Sequence, residues 1–89
     1  MPAARLQIVN AKGLHARASA KFVETVERFD ATARVSREGQ SVMGDSIMGL
    51  LMLAAAKGTA IEVVTEGPEA DGLLTALSDL VAGRFGEEG

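Results

Sequence analysis

The chain has 89 residues, of which 47% are hydrophobic and 24% charged, with a net charge of −3 and no cysteine, tryptophan or tyrosine. Such a length makes one globular domain, able to bury roughly 60–65% of its unfolded surface around a single core, while the absence of cysteine excludes disulfides, zinc ribbons and thiol catalysis. An acidic balance, with Phe22, Phe29 and Phe85 as the only aromatic rings, lacks the basic face and stacking platforms of a nucleic-acid binder.

The longest apolar stretch, residues 47–56, is interrupted by Gly49 and falls short of the ~20 residues that span a bilayer. The opening Met1-Pro2-Ala3-Ala4-Arg5 has no apolar segment after its charge, which argues against a signal peptide. The expectation is a cytoplasmic protein with no stable membrane association.

Residues 6–9 alternate, with Leu6 and Ile8 on one face, and predict the first strand. Residues 16–29 predict an amphipathic helix. Ser19, Phe22, Val23, Val26 and Phe29 recur at helical spacing, opposite Arg17, Lys21, Glu24 and Arg28. Residues 32–36 alternate again with Ala33 and Val35 together, and Glu38-Gly39 turns the chain into a weakly patterned strand at 40–43. Asp45 and Ser46 offer N-caps for a short helix running from Ile47 to about residue 56, with Gly58 as its left-handed stop. Residues 60–66 form the fourth strand, Ile61 and Val63 inward and Glu62 and Glu66 outward. Pro68 then opens the last helix, Glu69 and Asp71 in its first turn, and Leu73, Leu74, Leu77, Leu80 and Val81 supply its stripe.

The order is β-α-β-β-α-β-α. Strands that are apolar on one face only call for a sheet covered on one side, and an open-faced α+β sandwich closes it.

The one histidine stands in Asn10-Ala11-Lys12-Gly13-Leu14-His15-Ala16-Arg17-Ala18-Ser19, between the first strand and the first helix. If His15 precedes the helix, the unpaired N–H groups of Ala16, Arg17 and Ala18 point toward whatever its ring carries, and phosphate is the anion that suits such a terminus. Arg17 adds a fork of donors, and Lys12 and Lys21 add positive potential. A neutral imidazole has a ring nitrogen free to attack phosphorus, and the resulting phosphoramidate keeps a high transfer potential. One histidine without cysteines or an adjacent acidic pair is a poor ligand set, so neither metal nor cofactor is expected. Read alone, a histidine before a helix is more often a cap or surface residue, and an arginine such as Arg17 more often a solvated helix charge.

Gly13-Leu14-His15-Ala16-Arg17, with Asp45-Ser46-Ile47-Met48-Gly49-Leu50 and Lys57-Gly58, resembles the HPr family of histidine phosphocarriers of the bacterial phosphotransferase system, and the likeness covers essentially the whole of residues 1–89. The resemblance implies a four-stranded antiparallel sheet covered on one face by three helices. It implies that His15 accepts a phosphoryl group on Nδ1 from phosphorylated enzyme I and passes it to an enzyme IIA-type protein. Arg17 then matches the arginine beside the phosphohistidine, and Ser46 matches a regulatory serine phosphorylated by an HPr kinase/phosphorylase. The family usually reads His-Ala-Arg-Pro-Ala, whereas Ala18-Ser19 follow Arg17 here. Alanine is also a good helix former, so the junction is expected to survive. With the acidic balance, this departure resembles alphaproteobacterial versions serving a nitrogen-related branch, the NPr type.

Ser46 is first an N-cap, and a phosphate there would sit favourably at a helix N-terminus while repelling an acidic partner. Residues 47–53 are apolar nearly all round, with Leu50, Leu53 and Ala54 on one stripe and Ile47, Met48 and Leu51 on another. Periodicity leaves open which stripe is buried. The resemblance places Ile47, Met48 and Leu51 on the surface as a docking patch, with Ala20 and Lys21 beside it. The expected protein is a monomer that meets its partners transiently and is itself modified, more carrier than catalyst. The alternatives are a non-catalytic regulatory binding domain acting through Ser46 and the second helix, and a structural or small-ligand module of the same architecture.

Overall fold

A computed structural model describes residues 1–88. Four strands form one antiparallel sheet in the order β1-β4-β2-β3: β1 (Ala3–Gln7), β2 (Thr32–Arg37), β3 (Gln40–Met43) and β4 (Ala60–Glu66). Three helices join them: α1 (Ala16–Glu27), α2 (Ile47–Met52) and α3 (Ala70–Ala82). Alternation decides which side they cover. Ala33 and Val35 of β2 and Ile61, Val63 and Thr65 of β4 are buried, while Arg34, Glu62 and Arg5 stand on the open face. The open-faced α+β sandwich expected from the pattern is the observed architecture. No helix among the described residues is long and apolar enough to cross a membrane.

The β2–β3 hairpin turns through Glu38 and Gly39, both at positive φ (49° and 83°), the backbone of a type I′ turn that matches strand twist. The first strand lies nearer the N-terminus than the alternation at 6–9 indicated. Ala3 and Ala4 have little strand propensity of their own, yet pair with Val64 and Val63, so partner pairing overrides local preference. Ile8 continues the ladder informally, its amide donating to Thr59 and its carbonyl accepting from Gly58, both at 2.8 Å.

α1 buries Ala18, Ser19, Phe22, Val23, Thr25 and Val26 against the sheet. It stops at Glu27, two residues before the predicted end, because Arg28 and Phe29 donate three residues back, to Thr25 and Val26, and tighten the last turn. α3 buries Leu73, Leu77 and Val81, with Leu74 and Leu80 packed at the margin. It begins at Ala70. Pro68 therefore lies in the preceding turn and not at the first helical position, and Glu69 occupies the N-cap, its carboxylate accepting from the Asp30 amide at 2.6 Å.

The expected stop of α2 at Gly58 is also corrected. Leu53 and Ala54 donate three residues back, Ala54 itself takes a positive φ of 50°, and the helix ends at Met52. Ending early leaves residues 53–59 outside any helix, and the Ala55 carbonyl there accepts from the Leu14 amide at 2.8 Å. Gly13, at φ +65°, makes that approach possible, since a Cβ on it would lie 2.5 Å from Ala55 O and 2.9 Å from Ala56 Cα. Gly13→Ala is expected to destabilise the fold by about 2–4 kcal/mol, from the left-handed backbone and the clash together, measurable as a lowered denaturant midpoint at unchanged slope.

Candidate functional site

The Asn10–Leu14 loop delivers His15 to the N-cap of α1. His15 is extended (φ −79°, ψ −177°), its carbonyl accepts the first helical bond from Ser19 N at 2.8 Å, and its side chain makes no capping bond. Ala16, Arg17 and Ala18 thus carry the amides that precede the first intrahelical bond, where the dipole and unpaired donors favour an anion. Ala16 and Arg17 are exposed and Ala18 is buried. No acidic residue stands in this turn to compete with an incoming anion. Ser19, where the family pattern places alanine, is fully buried and donates its hydroxyl to Leu14 O at 3.3 Å.

The ring is fixed from an unexpected direction. Its Nε2 is hydrogen-bonded to Oε2 of Glu87, near the other end of the chain. The second oxygen of Glu87 accepts from Asn10 Nδ2 at 3.1 Å, and the same Nδ2 donates to Gly13 O at 2.8 Å. Both Asn10 contacts are acceptors, so the amide nitrogen must face them and Oδ1 must point inward. Oδ1 is buried with no hydrogen-bond partner in the protein, a cost of about 1–3 kcal/mol that the loop geometry sustains. His15 Nδ1 has no hydrogen-bond partner among the described residues, and 27% of the His15 side-chain surface is exposed.

Glu87 arrives there through a turn that sequence patterning did not anticipate. After α3 a single 3₁₀ turn, Arg84–Gly86, carries three successive positive φ values (60°, 54° and 78°) and folds the chain back. Phe85 is buried in the core, and its carbonyl accepts from Lys21 Nζ at 2.5 Å. Lys21, proposed from the resemblance as a docking residue, is half-buried with its ammonium already engaged. Arg17 is exposed and makes no hydrogen bond or ion pair among the described residues. Ala20 is half-buried beside them.

Ser46 is the N-cap of α2, its Oγ accepting from Gly49 N at 3.0 Å. Of the two stripes left open by periodicity, Leu50 and Leu53 are buried, while Ile47 and Met48 are exposed and Leu51 is half-buried. Ala54, grouped with Leu50 and Leu53, is exposed because the helix has already ended. Met43 and Met52 extend the exposed apolar surface. α2 packs against α1, so this surface and the His15 turn belong to adjoining elements.

Asn10 and Glu87 are the site residues that sequence reasoning missed. Asn10 was visible as a polar residue beside a strand ending in Ile8-Val9, but a Glu 72 positions from the histidine leaves no local signal.

The hydrogen bond from His15, followed by that from Asn10 and by the charges of His15 and Lys12, holds the Glu87 carboxyl below its ordinary value near 4.5, against an opposing effect of desolvation. The depressed folded value means that the stabilisation is complete above the ordinary carboxylate range and fades as pH falls through the lowered value. In a carbon-detected NMR titration, His15→Ala is expected to move the Glu87 midpoint up toward 4.5. An unmoved midpoint would contradict the pairing.

The family described as PTS HPr component phosphorylation site matches residues 3–83. The chain is 50% identical over 82 residues to the phosphocarrier protein HPr of Neisseria meningitidis serogroup A, covering 92% of each, and 49% identical over 88 residues to that of Pseudomonas aeruginosa, covering 98% of each. Among solved structures, HPr from Thermoanaerobacter tengcongensis superposes with a TM-score of 0.95 at 35% identity over 100% of both chains. The phosphocarrier HPr from Bacillus anthracis gives 0.86 at 38% identity over 90% of this chain and 95% of that one. With fold, motif positions and full-length similarity in agreement, the chain belongs to the HPr phosphocarrier family of the phosphotransferase system.

Proposed function

We propose that this chain is a histidine phosphocarrier, one HPr-like domain over residues 1–89, that accepts a phosphoryl group from phosphorylated enzyme I on His15 Nδ1 and passes it to a histidine of an enzyme IIA-type protein. The observation that carries this reading is the state of the ring: in a half-buried side chain at the N-terminus of α1, Nε2 is engaged by a carboxylate, while Nδ1 has no hydrogen-bond partner among the described residues. In the transfer, the Nδ1 lone pair forms a bond to phosphorus as the donor's P–N bond breaks, and that electron pair returns to the donor nitrogen. The catalytic work is positioning and charge stabilisation, shared by both proteins. Arg17, with no hydrogen bond or ion pair among the described residues, is available to swing its guanidinium onto phosphate oxygens, and the amides of Ala16, Arg17 and Ala18 add the helix terminus.

The exposed Ile47 and Met48, with Leu51 and Ala20, form the docking surface in this reading, and Lys21 contributes its stem while its ammonium stays on Phe85 O. Methionine adapts to several partners, and small interfaces below ~1,200 Å² suit a carrier that must release each one quickly. The protein works as a cytoplasmic monomer. Ser46 is the regulatory site for an HPr kinase/phosphorylase. Ser46 is half-buried and its hydroxyl caps α2, so a phosphate there adds charge next to the docking surface at a helix N-terminus that favours it.

A second reading is favoured by that same patch. Met48 and Met52, 69% and 67% exposed on the helix that Ser46 caps, would equally serve a regulatory binding domain without phosphotransfer. Incubation with enzyme I and phosphoenolpyruvate separates the two. The carrier gains an acid-labile, base-stable phosphate that His15→Ala abolishes, whereas retention of label in that variant rejects His15 as the site. Arg17→Ala is expected to slow transfer by on the order of tenfold to a hundredfold with little change in thermal stability. Ser46→Ala should cost about 1 kcal/mol through the lost cap and remove any acid-stable phosphate added by a kinase with ATP.

A further inference from the structure

The carboxylate behind His15 bears on how the acceptor nitrogen is chosen. A neutral imidazole has one N–H and one lone pair, and the partner of one nitrogen fixes the role of the other. An ionised carboxylate can only accept. The contact between Glu87 Oε2 and His15 Nε2 therefore requires the proton on Nε2 and leaves the lone pair on Nδ1.

Glu87 is not a passing surface charge. Asn10, with no solvent exposure, holds its second oxygen at 3.1 Å, and the same amide holds Gly13 O at 2.8 Å in the turn before the histidine. One asparagine thus sets both the loop that presents the ring and the carboxylate that orients it. Phe85, buried two residues earlier, and the Lys21 ammonium on its carbonyl fix the approach of the tail. The other charge acting on the carboxylate is that of Lys12, from the loop itself.

We propose that Glu87 is a positioning residue for phosphoryl acceptance: it holds the His15 ring in the orientation and tautomer whose lone pair lies on Nδ1, and keeps the second ring proton on Nε2 throughout the transfer. The inference rests on the phosphocarrier reading. While the new N–P bond forms at Nδ1 and the donor's P–N bond breaks, no proton leaves His15. The positive charge that develops on the phosphorylated ring is shared through Nε2–H with the Glu87 carboxylate. Glu87 touches neither phosphorus nor donor and acts entirely through His15.

The test compares the wild-type chain with Glu87→Ala and with the near-isosteric Glu87→Gln, which keeps an acceptor oxygen but not the charge. In nitrogen-15 NMR, the wild type should show a His15 Nε2–H resonance protected from solvent exchange at neutral pH, and Glu87→Ala should lose it. With enzyme I and phosphoenolpyruvate, kcat for labelling should fall by about tenfold in Glu87→Ala at nearly constant KM, the lower end of the effect seen when a carboxylate orienting a functional histidine is removed. Glu87→Gln should fall between the two, and amide spectra should confirm that both variants are folded. A kcat in Glu87→Ala within about twofold of wild type, or a change confined to KM, overturns the proposal. If the wild-type chain takes no label while its Nε2 proton still responds to Glu87→Ala, the phosphocarrier reading fails, and the role in transfer fails with it, while the pairing stands.

Discussion

The hydrogen bond from Leu14 N to Ala55 O holds together the parts of this molecule that matter for function. It ties the loop entering α1 to the segment leaving α2, so His15 and the exposed end of α2 are presented by one structure instead of two independent ones. The bond is possible only because two unrelated local choices coincide. α2 stops after Met52, which leaves Ala55 O outside the helix, and residue 13 is a glycine at positive φ, which lets the backbones meet. Neither choice is the best local solution. A longer α2 would satisfy more of its own carbonyls, and almost any other residue at 13 would prefer another conformation.

The tail is held by a comparable balance. Arg84 and Phe85 adopt left-handed backbone at roughly 1–2 kcal/mol each, and burial of the Phe85 ring returns roughly 1.5–3 kcal/mol. The two nearly cancel. The direction of the tail is therefore decided by the polar ties around it: Lys21 on the Phe85 carbonyl, and His15 and Asn10 on Glu87. A core aromatic and the carboxylate bonded to His15 lie two residues apart, and one turn places both.

Much of the fold could be read from periodicity. β2 and β4 alternate cleanly enough that their ends agree with the expectation to within a residue, and the weakly patterned β3 is placed by the Glu38-Gly39 turn, a local signal with a local cause. Departures occur where a tertiary partner outweighs propensity. Ala3 and Ala4 become strand because β4 needs a neighbour, and Pro68 stays outside α3 because Glu69 is held by the Asp30 amide. The candidate site divides in the same way. His15, Arg17 and Ser46 lie within motifs that a reader of the sequence can find. Asn10 and Glu87 do not, since their roles exist only once the chain has folded, and a buried asparagine with an unpartnered oxygen has no signature in one dimension. The choice between the two stripes of α2 likewise required the neighbouring elements, because so short a helix is apolar on almost every side.

The separation of 72 positions between histidine and carboxylate also sets the order of assembly. Closing so long a loop in an unstructured chain costs about 4 kcal/mol of entropy, by the logarithmic dependence on loop length, whereas a charge-assisted hydrogen bond returns about 1.5–3 kcal/mol. The contact cannot nucleate anything. It forms after sheet and helices have brought its ends together, which makes it one of the last native contacts to appear. Molecules that have reached the sheet but not the final tail turn would lack the carboxylate contact and present an imidazole free to reorient.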